Sequence, residues 1–97
     1  VIRFRPAAAR ELATDIRYYD RHYLRRGQRF AEAVERTLMR IAESPLLFPL
    51  LYEPDIRSAK VDRFPYRVVY IVSGEDINVI AVAHAKRRPA FWRHRMK

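Results

Sequence analysis

Five side chains in the second half of the chain are of the types that phosphate chemistry uses: Arg57, Lys60, Arg63, His84 and Arg87. Cleaving RNA through its own 2′-hydroxyl needs a base for that proton, a cation for the charged phosphorane and an acid for the leaving oxygen. His84 could be the base or the acid. The four cations could clamp phosphate, arginine through its two-pronged fork, and Tyr66 or Tyr70 could stack a base. A second reading stays open beside this one. A lone histidine at a strand end is commonly structural, and the same cations bind an acidic peptide equally well. Glu75 and Asp76 fall in a hairpin turn, at the wrong end of the strand to cooperate with His84.

Other chemistries find no footing. With Gly27 and Gly74 as the only glycines there is no glycine-rich phosphate loop. Ser44, Ser58 and Ser73 lie in no nucleophile motif. His22, His84 and His94 have no metal-ligand spacing, and the absence of cysteine removes thiolate sites and disulfides. No metal or cofactor is expected.

A basic tail, residues 85–97, follows His84. It carries Lys86, Arg87, Arg88, Arg93, Arg95 and Lys97 with no acid, and sets Pro89, Phe91 and Trp92 among them. Either one ring packs back on the core while the cations are solvated, or rings and arginines together form an interaction anchor, the residue types enriched at binding hot spots.

The elements that must position these residues follow from periodicity. Val1 to Arg5 alternates apolar and basic, a short edge strand. Pro6 opens a helix running to about Arg25, with Ala9, Leu12, Ile16, Tyr19 and Tyr23 as its apolar stripe and Arg10, Glu11, Thr14, Arg17 and Arg21 mostly opposite. Gly27 is expected to end it in a left-handed conformation. A second helix spans about Gln28 to Glu43 on Phe30, Val34, Leu38 and Ile41, antiparallel to the first because the connection is short. Ser44-Pro45 stops it. An apolar loop then runs from Leu46 to Pro54. It either closes the bottom of the core or stays partly exposed for a partner. Arg57 to Asp62, Tyr66 to Val72 and Ile77 to Ala83 read as strands, the last two joined by Ser73-Gly74-Glu75-Asp76. On the last strand, alternation puts Ile77, Val79 and Ala81 on one face and Asn78, Ile80, Val82 and His84 on the other. Both faces are largely apolar, so this strand is interior. The expected fold class is α+β in two layers: an N-terminal strand and an antiparallel helical hairpin packed on a four-stranded antiparallel sheet, in the order β-α-α-β-β-β.

The chain's 97 residues suit one domain with one modest core. No apolar run nears the ~20 residues that span a bilayer, and VIRFRPAA is too short and charged for a secretory signal. A cytoplasmic protein without membrane contact is expected. The net charge of +9 is unevenly placed. Residues 1–56 hold 10 basic and 8 acidic side chains, whereas residues 57–97 hold 10 basic and 3 acidic. A codon bias toward arginine accounts for its abundance but not for this concentration, which suits a phosphate backbone or an acidic protein.

These residues resemble, over nearly the whole length, the RelE/ParE superfamily of bacterial type II toxin–antitoxin toxins. The likeness rests on the helical-hairpin pattern through Pro45, on Arg57 with Val61, on Phe64-Pro65-Tyr66 with Tyr70, and on His84 followed by Arg87-Arg88-Pro89 and Trp92. Leu46-Leu47-Phe48 departs from the family's usual glycine after that proline. RelE-like members are ribosome-dependent endoribonucleases; ParE-like members share the fold and poison DNA gyrase. The strand FPY…Y and the ending His-x-x-Arg-x-Pro-x-x-Trp look ParE-like.

The resemblance implies a hetero-oligomer with an acidic antitoxin that folds onto the toxin, expected over Arg57, Lys60, Arg63, Tyr66, Tyr70, Leu50 and Tyr52. It implies gyrase binding through Arg87, Arg88, Phe91, Trp92, Arg93 and Arg95. The RelE-like alternative, acting on ribosome-bound mRNA, would use His84, Arg63, Lys60 and Arg87, without a tail tyrosine to accompany them.

Overall fold

A computed structural model describes residues 1–96. The elements are β1 (Ile2–Phe4), α1 (Pro6–His22), α2 (Arg26–Glu43), β2 (Leu50–Tyr52), β3 (Ile56–Lys60), β4 (Tyr66–Ser73) and β5 (Asp76–His84), then a 3₁₀ turn at Arg93–Met96. The sheet has five strands in the order β1-β5-β4-β3-β2. The α+β class and the interior last strand agree with the sequence. The sheet differs in two respects. β1 runs parallel to β5, pairing Ile2 with Ile77 and Phe4 with Val79, so the sheet is mixed. Part of the apolar loop, Leu50–Tyr52, adds a fifth strand at the far edge, antiparallel to β3.

Helix α1 starts with Pro6 at its first turn, where the missing N–H costs nothing. Its buried face is Ala8, Tyr19 and the partly buried Leu12 and Ile16; Ala9 and Tyr23 are exposed. Tyr23 leaves the stripe because the chain turns extended there. The left-handed residue of the helical connection is Arg25, with φ of 60°, and not Gly27. Gly27 lies inside α2, where the two helices meet. A Cβ there would stand 2.6 Å from the Ile16 carbonyl oxygen and 2.2 Å from Asp20 Oδ1. The glycine is needed for close approach rather than for its φ freedom.

The helices cover one face of the sheet. Phe30, Val34 and Ile41 of α2 meet Val68, Tyr70, Val79 and Val82, and Tyr19, Phe30, Phe64 and Tyr66 pack ring against ring at 4.6–6.4 Å. The second face has its own core of Ile56, Val69, Ile80, Ala81 and Trp92. A bulge divides β5 between the two. Tyr70 pairs with Val79, but Val69 pairs with Ala81, leaving Ile80 extra. Ile80 and Ala81 therefore both serve the second face, and Val82 returns to the helical one. Simple alternation misplaced Ala81 and Val82 for this reason.

Candidate interaction surface

The tail returns across the second face of the sheet. Trp92 is 2% exposed, packed edge-on against Tyr52 at 5.7 Å and seated over Ile56, Val69 and Ile80. Its indole is thus a core group, which removes it from the surface a target would touch. Arg95 is also turned inward. Its guanidinium donates to both carboxylate oxygens of Glu11, at 3.0 and 2.9 Å, and to the Ile80 carbonyl at 3.0 Å. Phe91 is half-buried, with the Arg87 guanidinium 3.8 Å from its ring centre. Arg88 and Arg93 are exposed, the latter lying over the Tyr52 ring at 5.1 Å. The six tail residues named from sequence divide accordingly. Arg88 and Arg93 face out, Arg87 and Phe91 stand at the rim, and Trp92 and Arg95 face in.

Between this tail and the sheet lies a cleft of about 420 Å³. Its walls include Lys60, Arg67, His84, Arg87 and Arg88, over a floor of Val69, Ala83 and Trp92. Three of the four nuclease candidates therefore share it: Lys60, His84 and Arg87. Arg63 is not among its walls; its side chain is 86% exposed and turned toward Asp62 at 3.9 Å. Lys60 Nζ is engaged with the carbonyls of Val61 and Phe64 at 3.2 and 3.4 Å. The Lys86 N–H donates to His84 Nδ1 at 2.9 Å, so in the neutral ring the proton sits on Nε2. The bulge in β5 turns His84 toward Tyr66, their rings 4.8 Å apart.

A second groove runs along α1, bounded by Arg10, Glu11, Asp15, Tyr18, Tyr66, His84 and Arg87. Burial pushes the Asp15 carboxyl above its ordinary value of 3.8, an effect that Tyr66 partly offsets as a hydrogen-bond donor. Burial, reinforced by the Asp15 charge, pushes the Tyr66 phenol upward too. Glu11 and Asp15 were missed by sequence reasoning, which assigned Glu11 to the solvent side. The signal lay in Ala8, Glu11, Asp15 and Tyr19, which recur at helical spacing beside the apolar stripe.

The residues assigned to an antitoxin also divide. Tyr70 is fully buried and its hydroxyl donates to the Pro45 carbonyl at 2.7 Å; Tyr66 is 5% exposed. Both belong to the core beneath the helices. Arg57 donates to the Phe48 carbonyl at 2.6 Å and so braces the apolar loop. Phe48 packs inward against Tyr70, while Leu46 and Leu47 stay 64% and 81% exposed and Leu50 and Leu51 about half so. The loop thus both closes the core and leaves leucines in solvent. Tyr52 is half-buried, and Lys60 and Arg63 are exposed.

Comparison with known proteins bears on this arrangement. A family model described as the ParE toxin of type II toxin–antitoxin systems matches residues 2–89. The chain belongs to the ParE toxin family. It is a type II toxin–antitoxin toxin, and that class implies a cognate antitoxin. No curated protein matches it by sequence. Three solved structures share the fold of this ParE-family chain. The isolated RelE toxin of E. coli superposes with a TM-score of 0.65 at 25% identity, over 98% of this chain and 94% of that one. A chain from the chromosomal ParDE system of P. aeruginosa gives 0.63 at 17% identity, covering 88% and 95%. YoeB from a Staphylococcus aureus dimer gives 0.59 at 17%, covering 86% and 93%. Among the described residues, no helix is long and apolar enough to cross a membrane.

Proposed function

We propose that this ParE-family toxin arrests growth in the cytoplasm by binding and poisoning DNA gyrase, and that an acidic antitoxin neutralises it. The family match over residues 2–89 carries the reading. The tail supports it, because Arg88 and Arg93 project from a segment whose Trp92 is anchored in the core. A segment whose backbone is already anchored has less chain entropy to lose on docking than a free one. The antitoxin meets Arg57, Lys60, Arg63, Tyr52 and the exposed leucines of the apolar loop.

Purified toxin added to gyrase should inhibit supercoiling and leave transcripts intact in a translating extract. The double variant Arg88→Ala/Arg93→Ala should lose inhibition by about tenfold or more while still binding antitoxin. Full inhibition by that variant would remove the tail from the mechanism.

Two observations favour a second reading, ribosome-dependent mRNA cleavage. Lys60, Arg67, His84, Arg87 and Arg88 line a single cleft, and the RelE toxin is among the similar structures. Transcripts cut by wild-type toxin but spared by His84→Ala, with gyrase unaffected, would establish cleavage and reject poisoning.

A further inference from the structure

We propose that Glu11 is the positioning residue of the C-terminal tail: its single carboxylate closes the loop from Arg87 to Arg95 and stands in for a missing strand along β5. The inference rests on the reading of the tail as the target-binding segment.

The need arises in the sheet. β1 accompanies β5 only from Ile77 to Val79, its last rung being the Arg5 N–H to the Val79 carbonyl at 2.9 Å. β5 continues to His84 without a backbone neighbour on that side, and buried peptide groups left unpaired are costly. Side chains take the strand's place. The Val82 N–H donates to Glu11 Oε1 at 3.2 Å, and the Ile80 carbonyl accepts from Arg95 Nη1 at 3.0 Å. The two side chains then pair with each other through both prongs, each 14% exposed.

The same carboxylate reaches the other end of the tail loop, with Arg87 Nη1 4.0 Å from Glu11 Oε2. Phe91 lies between the arginines, 3.8 Å from the Arg87 guanidinium and 5.3 Å from that of Arg95. Arg5 adds a bond to the Arg95 carbonyl at 3.3 Å. Without the Glu11 charge, the two guanidiniums that flank this ring would lose the carboxylate they share, and Arg95 Nε is already buried and unpartnered. The loop carrying Arg88 and Arg93 then loses its closure.

Trp92 is the only tryptophan, so its fluorescence reports tail docking directly. Glu11→Gln keeps the size and an acceptor for the Val82 N–H but removes the charge. In full-length Glu11→Gln, Trp92 emission should shift to the red and acrylamide quenching should rise. Amide exchange at Val82 and residues 90–96 should quicken about tenfold or more, with α2 and β4 still protected. Growth arrest should weaken about tenfold with antitoxin affinity unchanged. Arg95→Met tests the pair from the tail side with α1 intact. Unchanged emission and exchange in Glu11→Gln would overturn the closure, and a loosened tail with full toxicity would overturn the positioning role. Global unfolding of both variants would make the pair a folding element and overturn it as well. Should wild-type toxin leave gyrase untouched, the target assignment fails while emission and exchange still decide the role of Glu11.

Discussion

Asp15 shows how one residue can cost a fold stability. Its carboxyl is raised by burial, with the neighbouring Glu11 charge adding to the effect. A carboxyl with a higher pKa in the folded state holds its proton more tightly there than in the unfolded chain. Its favourable contribution is complete below the unfolded value of 3.8 and is lost as pH rises through the folded one. Asp15→Asn should therefore raise the Tm at pH 7, and the gain over wild type should vanish near pH 3; thermal melts across that range measure it. Equal Tm values at pH 7 would show that Tyr66 compensates the buried charge completely. Gly27 makes the opposite case. Alanine is the better helix former by about 1 kcal/mol, yet here its Cβ would press on the Ile16 carbonyl. That oxygen belongs to the backbone of a packed helix and cannot swing aside as Asp20 can. Overpacking of this kind costs about 1–3 kcal/mol, so Gly27→Ala should destabilise, with a lower denaturation midpoint in urea.

At the scale of elements, the tail is both a surface and a wall of the second core. Deleting residues 89–97 removes Trp92 and uncovers Ile56, Val69, Ile80 and Ala81. Loss of a buried tryptophan alone costs about 3–5 kcal/mol, a large share of the ~5–15 kcal/mol that holds a domain folded. The truncated chain should melt lower and aggregate, and its loss of toxicity would then say nothing about target contact. Point variants at Arg88 and Arg93 avoid this, since both are exposed and surface changes usually stay within about 0.5 kcal/mol. The helices, β4 and the interior β5 were legible in the sequence because their apolar periods run over many residues. β2 was not, because three residues punctuated by Pro49 and Pro54 carry no period. Neither was the bulge at Ile80: one inserted residue leaves composition unchanged and reverses every side chain after it. For Glu11, the helical spacing with Ala8, Asp15 and Tyr19 marks an inward-facing position but not what it meets, because its partners Val82 and Arg95 lie 71 and 84 residues away. Local sequence signals the turn a residue starts, not the distant edge it completes.

For the whole molecule, charge and apolar surface divide the work of antitoxin capture. The radius of gyration is 12.9 Å, and the Debye length is about 10 Å at 0.1 M salt. Charges on opposite sides are therefore screened from one another, and the local surplus of residues 57–97 steers an acidic chain more than the net +9 does. Steering acts on encounter, so the association rate should fall about tenfold between 0.05 and 0.3 M salt while dissociation changes little. The leucines left in solvent at Leu46 and Leu47 act at the next stage, because burying them holds the complex once formed. Leu46→Ser/Leu47→Ser should leave the toxin's own Tm within a degree or two, as expected of exposed positions. It should speed antitoxin dissociation at least about tenfold with the association rate and its salt slope intact. Stopped-flow association and surface-binding dissociation separate the two. If the leucine variant slowed association instead, the apolar loop would belong to the encounter surface, and the division of labour between charge and burial would be wrong.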